Sequence, residues 1–577
     1  MNDFARLRHS IYRERTGDPV ADRQRELFRL GEALFGTGPE ESVQKTLFAA
    51  SLKYSNDYEK IVSSLGDAGT SRFYDRYLAD AIASQPGIRP VAEKFVAERS
   101  GNPRLKRLTD LIRTGRAGSD KKLFPIGPEA LEHPVSLIQC MFHGDPSRSG
   151  RGSSGGIGTL LAELGNAMPA TAGGVATPVL YDRGRSNYPY LALERYAPNH
   201  SIIRLPLSLP APAPSGFIEG RESITRALVA ALTALGIAPQ IIHVRFLDDA
   251  SLAAADAARE LGAKLVVTIT PDPHRQLCDA EGRIRRYPAD TALDFLNKIL
   301  IGDELLRRAH GVLAIGKNTL EKELMPYYPQ LEDTRGRIVA GIDEGVRSQV
   351  EDTGLDVPVL LQSGESRYHL SAESLPRPSL LSVGRLAEVK NQVALVGAWS
   401  ARACRTHNLV LVGGDLENPS EQEQSVIEGI DRLMEGRPEL QGRFCHLAGR
   451  SNGDIRAIQR FFAERRNAPA DLYFCPSLKE EFGLSILEAM AVGMIACAPI
   501  NGGAKSYIRH GTNGFLVDTR DEKSLAKELK VMLEESPPSP GLARAISENA
   551  ARTVKTRYSM ERIAGEFARF YRRVINE

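Results

Sequence analysis

Two glutamates in one stretch of this chain, Glu480 and Glu488, have a setting and spacing that suit the binding of a ligand. The pattern around them predicts Glu480 in a loop just before a helix and Glu488 about one turn inside it. A helix N-terminus offers free N–H groups and a positive dipole end to a phosphate, whereas carboxylates accept hydrogen bonds from sugar hydroxyls. The pair therefore suits a ligand with both groups, such as a nucleotide sugar. Spacing alone equally allows two solvated surface carboxylates.

Two cations, Arg385 and Lys390, stand five residues apart in the segment SLLSVGRLAEVKNQ, residues 379–392. The apolar run before them predicts a strand and the residues after them predict a helix, so both cations flank a strand-to-helix turn. An arginine supplies a planar fork and a lysine a point charge, which together suit the spread charge of a diphosphate. Taken alone, such a pair is commonplace.

The elements that would position the glutamates are evident in DLYFCPSLKEEFGLSILEAMAVGMIACAPINGG, residues 471–503. We predict a buried strand at 471–475, a helix at 484–492 with Gly493 as its C-terminal cap, and a second buried strand at 494–500. Strand, loop, helix and strand in this order form half of a doubly wound sheet. Such sheets bind ligands at the carboxyl ends of their strands.

The chain also alternates between apolar strands and helices from residue 135 to about residue 345. This alternation predicts a parallel sheet flanked by helices. Its first strand, VSLIQCM, leads into a loop rich in Gly and Ser at 143–158, where backbone N–H groups could approach a phosphate closely. The loop lacks a P-loop lysine, so a phosphate-binding role does not follow from the loop alone.

The segment EEFGLSILEAMAVGMIACAPINGG, residues 480–503, resembles the donor-site signature of retaining GT-B glycosyltransferases, the group that includes sucrose-phosphate synthase and sucrose synthase. The resemblance implies that Glu480 meets the hydroxyls of the donor sugar and that Glu488 meets the ribose. It also implies that the backbone of Phe482, Gly483 and Leu484 lies near the donor.

Two further segments resemble the same family. VGRLAEVKN matches the turn where the family places an arginine and a lysine on the donor diphosphate, which implies that role for Arg385 and Lys390 beside Gly384. The loop at 143–158 is similar to the loop that covers donor phosphate and acceptor in sucrose-phosphate synthases. Its matching residues are His143, Gly144, Gly150, Arg151, Gly155 and Gly156.

One position departs from the family pattern. The family has a histidine that contacts the donor sugar after the strand that corresponds to KLVVTIT, and this position falls on Thr270. His274 follows four residues later, and we expect a re-spaced loop in which His274 takes that catalytic role. The alternative is that the contact is absent. His243 is expected to be structural.

These observations predict an α/β chain with the GT-B fold, which has two Rossmann-like doubly wound domains, preceded here by a helical extension. Periodicity in ADRQRELFRLGEALFG and YDRYLADAIASQ predicts the helices of that extension. The predicted boundaries are 1–128 for the extension, 129–345 for the N-terminal (acceptor) domain, 346–378 for a hinge, 379–556 for the C-terminal (donor) domain and 557–577 for a crossover helix.

The composition argues against several classes of protein. Lys and Arg number 74 and Asp and Glu number 72 in 577 residues, so no global charge recruits nucleic acid or an anionic membrane. The N-terminus lacks the apolar core of a signal peptide, and no apolar run is long enough to cross a bilayer. Six scattered cysteines, without a C-x-x-C pair, favour reduced thiols and a cytoplasmic location. No carboxylate and histidine cluster has metal-ligand spacing, so we expect no metal.

The resemblance to GT-B glycosyltransferases implies transfer of a sugar, which we expect to be glucose, from a nucleotide diphosphate sugar to a small sugar or sugar-phosphate acceptor, with retention at the anomeric carbon. Arg385 and Lys390 would stabilise the departing diphosphate, and no protein nucleophile is evident. The nucleotide sugar is a co-substrate, and no cofactor is expected. The alternatives are a glycosyltransferase of capsule, lipopolysaccharide or other glycan assembly, and a catalytically silent GT-B binding protein. The N-terminal helices, which carry no chemical motif, could pack on the catalytic body or mediate a homo-oligomer.

Overall fold

The computed structural model describes residues 2–17, 19–35, 134–140, 142 and 155–577, the last range with gaps at 170–172, 181–191, 206–213, 270–273, 275–276, 280–281, 364–365 and 402–405 and at positions 288, 334, 348, 351, 466 and 468. The chain divides into two compact units. The first contains residues 1–143, 168–342 and 567–577, and the second contains residues 144–167 and 343–566.

The main helices and strands alternate along most of the described chain. In order they are α1 Asp3–Arg13, α2 Pro19–Phe35, β1 Val135–Gln139, α3 Gly155–Ala167, β2 Gly174–Leu180, β3 Ala192–Ala197, β4 His200–Leu205, α4 Pro214–Ala234, β5 Ile241–Val244, α5 Asp249–Leu261, β6 Lys264–Thr268, α6 Ala289–Arg308, β7 Gly311–Ile315, β8 Ile338–Ile342, α7 Val357–Gln362, β9 Ser379–Val383, α8 Gln392–Ala401, β10 Asn408–Val412, α9 Glu421–Met434, β11 Phe444–Leu447, α10 Asn452–Glu464, β12 Leu472–Phe474, α11 Leu484–Ala491, β13 Ile495–Pro499, β14 Phe515–Val517, α12 Glu522–Lys530, α13 Pro540–Thr553 and α14 Met560–Asn576.

The described strands of the first unit form an eight-stranded sheet in the order β3-β4-β2-β1-β5-β6-β7-β8. Every neighbouring pair is parallel except β3 with β4. β4 and β5 are buried along their whole length, as parallel strands covered by helices on both faces require. The predicted parallel sheet is therefore confirmed. His243 on β5 lies within 2.8 Å of the Tyr571 hydroxyl and 2.7 Å of the Thr268 hydroxyl, which is a structural position.

The N-terminal helices α1 and α2 pack into the body of the first unit. Arg8 on α1 is 3% exposed, and it donates to Glu26 Oε1 on α2 at 3.0 Å and to the Asp303 carboxylate on α6. Phe4 on α1 is fully buried in the apolar core of the same unit. These contacts agree with a packing role for this part of the extension. The predicted helix in YDRYLADAIASQ lies outside the described residues.

The second unit contains a six-stranded parallel sheet in the order β11-β10-β9-β12-β13-β14. The strand order reverses beside β9, because the chain runs outward from β9 to β11 and then returns to place β12 on its other side. Such a reversal leaves a crevice at the carboxyl ends of the two central strands, where open α/β sheets bind ligands. The predicted hinge at 346–378 belongs to this unit and contains α7.

The division into two units separates α3 from the strand before it and divides α14. The helix α3 follows β1 in the chain, but residues 144–167 belong to the second unit. The last helix, α14, contributes residues up to 566 to the second unit and residues 567–577 to the first. Within the described ranges, no helix combines the length and apolarity that a membrane span needs.

Candidate functional site

The predicted donor residues of the second unit lie on the loops that follow β9 and β12, the two strands at the reversal of the sheet. Gly384 and Arg385 directly follow β9, and Lys390 ends a short 3-10 turn at Glu388–Lys390. Glu480 lies between β12 and α11. A backbone hydrogen bond from Leu478 N to the carbonyl that precedes Lys390 joins the two loops at 2.9 Å. The structure therefore brings these residues to one edge of the sheet.

Lys390 and Glu480 form an ion pair. The ammonium group of Lys390 donates to both carboxylate oxygens of Glu480, at 2.8 Å for Oε2. The Lys390 side chain is 24% exposed and that of Glu480 is 9% exposed, so the pair is largely shielded from water. The next residue, Asn391, has a left-handed backbone with φ of 57°, and its side-chain amide donates to Thr519 O at 2.8 Å. This anchor fixes the backbone from which Lys390 reaches Glu480.

Arg385 is exposed at the carboxyl end of β9, and its backbone carbonyl accepts a hydrogen bond from Gln392 Nε2 at 2.8 Å. The backbone at Gly413 packs closely against this turn. A Cβ on Gly413 would lie 1.8 Å from the carbonyl oxygen of Gly384. The glycine after β10 thus permits the loops that follow β9 and β10 to pack together. The Arg385 guanidinium is left on the surface of this turn, where an anionic ligand can reach it.

Gly483, the residue just before α11, has a left-handed backbone with φ of 89°, and a Cβ there would lie 2.9 Å from the Tyr507 hydroxyl. That hydroxyl donates to the carbonyl of Phe482 at 2.6 Å and so holds the turn before the helix. The carbonyl of Gly483 accepts from the amides of residues 486 and 487. The N–H groups of Leu484 and Ser485 precede these bonds, so they are the donors that this helix start offers to a ligand.

A close backbone contact with the Gly-Gly turn after β13 holds the loop that carries Glu480. Gly503 N donates to Glu480 O at 2.8 Å, and a Cβ on Gly502 would lie 1.9 Å from the same oxygen. Only glycine fits at Gly502, which has φ of 117°. The Gly-Gly turn after β13 therefore holds the backbone of Glu480 beside the start of α11.

Glu488, one turn into α11, is 6% exposed and is not a surface residue. Its Oε1 accepts a hydrogen bond from Asn452 Nδ2 on α10 at 2.6 Å. Burial, together with the charge of Glu163 on α3, raises the pKa of Glu488 to about 7. The charge of Arg456 and the Asn452 amide act in the opposite direction. This carboxyl group therefore changes its charge near neutral pH.

The predicted N-terminal loop is only partly described. Gly155 and Gly156 begin α3, in agreement with their predicted place at a helix start. His143, Gly144, Gly150 and Arg151 lie outside the described residues, as does Thr270. Their predicted contacts with donor and acceptor stay predictions.

The structure places His274 differently from our expectation. The imidazole is fully buried in the first unit, stacked on Tyr327 at 4.9 Å between ring centroids and 13° between planes. Phe4 of α1 and Tyr328 pack against it at 5.4 and 4.8 Å. A ring enclosed by three aromatic side chains is not presented to a sugar, so the predicted catalytic contact requires a repacked loop.

Two contacts at the site are not evident from the sequence, namely those of Asn452 with Glu488 and of Tyr507 with Phe482. Asn452 follows Ser451, whose hydroxyl caps α10 by accepting from Asp454 N at 3.1 Å. A serine cap just beyond a buried strand places the first turn of a helix at the ligand edge of the sheet, and that signal could have identified Asn452. Tyr507 carries no comparable signal. Among the described residues, no group of three or more His, Cys, Asp or Glu could hold a metal ion.

Parts of the chain are similar to known proteins. Residues 371–553 match the family model described as glycosyl transferases group 1. Sucrose synthase isoform 2 of Daucus carota is 25% identical over 296 residues, which is 50% of this chain and 34% of that protein. The chain thus spans about a third of the length of this curated relative.

Solved structures resemble the chain over a larger part of its length. Sucrose-phosphate synthase from Thermosynechococcus elongatus superposes with a TM-score of 0.56 at 20% identity, over 77% of this chain and 99% of that one. The catalytic domain of starch synthase IV from Arabidopsis thaliana, bound to ADP and acarbose, superposes with a TM-score of 0.54 at 15% identity, over 77% of this chain and 100% of that one. Likeness at these identities shows a shared fold.

Proposed function

We propose that this chain, which has the GT-B fold and matches the glycosyl transferases group 1 model at residues 371–553, is a glycosyltransferase. It moves a hexosyl group, glucose in our expectation, from a nucleotide diphosphate sugar to a small sugar or sugar-phosphate acceptor, with retention. The observation that carries the proposal is the Lys390–Glu480 pair at the reversal of the second sheet. It combines a cation for phosphate with a carboxylate for hydroxyl groups in one place. The sequence relative named above, a sucrose synthase at 25% identity, supports this substrate class.

The chemistry that we propose for these residues is electrostatic. The bond between the anomeric carbon and the diphosphate oxygen breaks, and its electron pair leaves with the diphosphate. The acceptor hydroxyl oxygen forms the new bond to the anomeric carbon on the same face, and its proton passes to the departing phosphate oxygen. Lys390 and the exposed Arg385 stabilise the charge that develops there, and the N–H groups of Leu484 and Ser485 add donors at the start of α11. Catalysis by pre-placed donors of this kind needs no nucleophile from the protein.

The two carboxylates accept hydrogen bonds from the hydroxyl groups of the donor. Glu480 accepts from the hydroxyls of the sugar, and Glu488 accepts from those of the ribose. A bound diphosphate competes with Glu480 for the Lys390 ammonium group, because both are anions within reach of the same three donors. Ligand binding therefore partly replaces the Lys390–Glu480 pair and frees Glu480 for the sugar.

We also propose that the nucleotide sugar is the sole co-substrate besides the acceptor and that no other cofactor is needed. A cytoplasmic location and a homo-oligomer formed through the N-terminal helices are further expectations of the same kind.

Titration calorimetry with UDP, GDP and ADP tests the donor site directly. At least one of the three should bind with a stoichiometry of about one per chain, because the proposed site holds a single diphosphate. If none of the three binds, the assignment of a nucleotide-sugar donor site is wrong.

A further inference from the structure

Three ionisable side chains from three helices of the second unit lie buried near one another. They are Glu163 on α3, Arg456 on α10 and Glu488 on α11, and they are 8%, 3% and 6% exposed. Each carboxyl group lies close enough to the guanidinium for the cation to lower its pKa. The proposed function uses Glu488 and gives no role to Arg456 or Glu163.

Arg456 occupies the middle of a polar stripe on α10 that faces α11. Asn452, four residues earlier, donates to Glu488 at 2.6 Å, and Gln459, three residues later, donates to the carbonyl of Ser485 at 3.2 Å. All three guanidinium nitrogens of Arg456 are buried, and they have no hydrogen-bond partner in the part of the chain that the structure describes. A buried cation with unused donors costs stability, and a role in the ligand site is a reason for the protein to bear this cost.

The charges around Glu488 shift its pKa in opposite directions. Burial raises the pKa of Glu488 the most, the charge of Glu163 raises it further, and Arg456 lowers it. Burial also raises the pKa of Glu163, and Arg456 again lowers it. Further groups that face these two carboxyls in the described residues are the Tyr473 hydroxyl on β12, Arg347 and Glu561.

We propose that Arg456 is a positioning residue of the nucleotide site, which keeps the Glu488 carboxylate ionised to accept the hydroxyls of a bound ribose, while the charge of Glu163 opposes it. The inference rests on the proposed function, in which Glu488 receives the ribose. An ionised carboxylate is a stronger acceptor than a carboxylic acid, and it presents two acceptor oxygens with no O–H donor between them. Because α3 supplies Glu163, a helix far away in the sequence adjusts the affinity of the nucleotide site.

The test is the affinity for UDP-glucose and ADP-glucose measured by calorimetry from pH 5.5 to 8.5. These ligands are chosen because their phosphates are esterified on both sides and lack the second phosphate ionisation near pH 6. The wild-type affinity should fall as the pH drops below about 7, where Glu488 takes up a proton.

Two variants should move the midpoint of this pH profile in opposite directions. Arg456→Met removes the charge that favours ionised Glu488, so the midpoint should rise by about half a pH unit or more. Glu163→Gln removes the charge that disfavours it, so the midpoint should fall by a similar amount. Arg456→Lys should restore most of the wild-type profile. Arg460→Met, one turn further along α10, is the matched control and should leave the midpoint unchanged.

The outcomes separate this inference from the proposed function. Binding at pH 8.5 with the same midpoint in all variants would overturn the role of Arg456 and leave the donor site standing. Loss of binding at every pH in both Arg456→Met and Arg456→Lys, in folded protein, would show direct ligand contact and also overturn it. If Arg456→Met does not fold, an unchanged midpoint in Glu163→Gln is sufficient to overturn it. Failure of both nucleotide sugars to bind at any pH would sink the proposed function and this inference together.

Discussion

The ammonium group of Lys390 donates to both carboxylate oxygens of Glu480, ninety residues further along the chain. The pair links the loop after β9 to the loop after β12, on either side of the point where the order of the strands reverses. A cation and a carboxylate placed side by side suit a ligand that carries both groups, because the ammonium can bind its phosphates and the carboxylate can accept from its hydroxyls.

Replacement of the cation should weaken the binding of a diphosphate. Lys390→Ala is expected to reduce the affinity for the nucleoside diphosphate that binds wild-type protein by roughly 1.5–3 kcal/mol, the usual contribution of a hydrogen bond to a charged group. Titration calorimetry measures the change, and Lys523→Ala, an exposed lysine on α12, is the control. Equal affinities for Lys390→Ala and the control would exclude Lys390 from the diphosphate site.

Replacement of the Glu480 carboxylate should not weaken diphosphate binding. Glu480→Gln removes the anion that competes for Lys390, so the affinity for free diphosphate should be unchanged or higher. Sugar transfer should nevertheless fall by about tenfold or more, because the sugar hydroxyls lose a charged acceptor. The two effects are measured by calorimetry and by turnover on the same preparation. A parallel loss of diphosphate affinity and turnover would mean that Glu480 acts on the diphosphate side of the site.

The second sheet was largely predictable from the sequence, since its apolar segments are short and sharply bounded. The predicted helix at 484–492 is α11, Leu484–Ala491, and the predicted strand at 494–500 is β13, Ile495–Pro499. Gly493 follows α11 with φ of 87°, as predicted for a C-terminal cap. Each of these elements is determined by the residues within it. The close approach of Gly502 to the Glu480 carbonyl depends on the predicted Gly-Gly turn.

Relationships between distant segments were not predictable. Glu163 approaches Glu488 because α3 belongs to the second unit, although it follows a strand of the first. His274 is enclosed because α1 contributes Phe4 and because a segment some fifty residues after His274 contributes Tyr327. No single stretch of sequence carries either relationship, since each depends on which surfaces pack together after the elements have formed.

The buried position of His274 can be tested against its predicted catalytic role. His274→Ala removes a fully buried ring, so the free energy of unfolding should fall by roughly 2–4 kcal/mol. Turnover per folded molecule should then change less than it does in Glu480→Gln. Denaturant unfolding and turnover at a permissive temperature separate the two effects. Unchanged stability with a strong loss of turnover would support the catalytic assignment for this residue.

The N-terminal helices should contribute to the stability of the first unit through Arg8. Arg8→Met leaves the carboxylates of Glu26 and Asp303 buried without their cation, which should cost about 3–5 kcal/mol. Thermal or denaturant unfolding measures the loss. Arg6→Met, whose arginine side chain is 67% exposed on the same helix, is the control and should change little. Equal, small effects of both variants would show that α1 is not an integral part of the unit.

The measurement that tests the central claim most directly is acceptor-dependent release of nucleoside diphosphate. UDP-, ADP- and GDP-glucose are each incubated with the protein and a panel of hexoses and hexose phosphates, and the products are identified by NMR. We predict that at least one donor yields a new glycoside with the anomeric configuration of the donor. Lys390→Ala should lose this activity and Lys523→Ala should keep it. A protein that binds a diphosphate but transfers sugar from none of these donors to any acceptor would contradict the account.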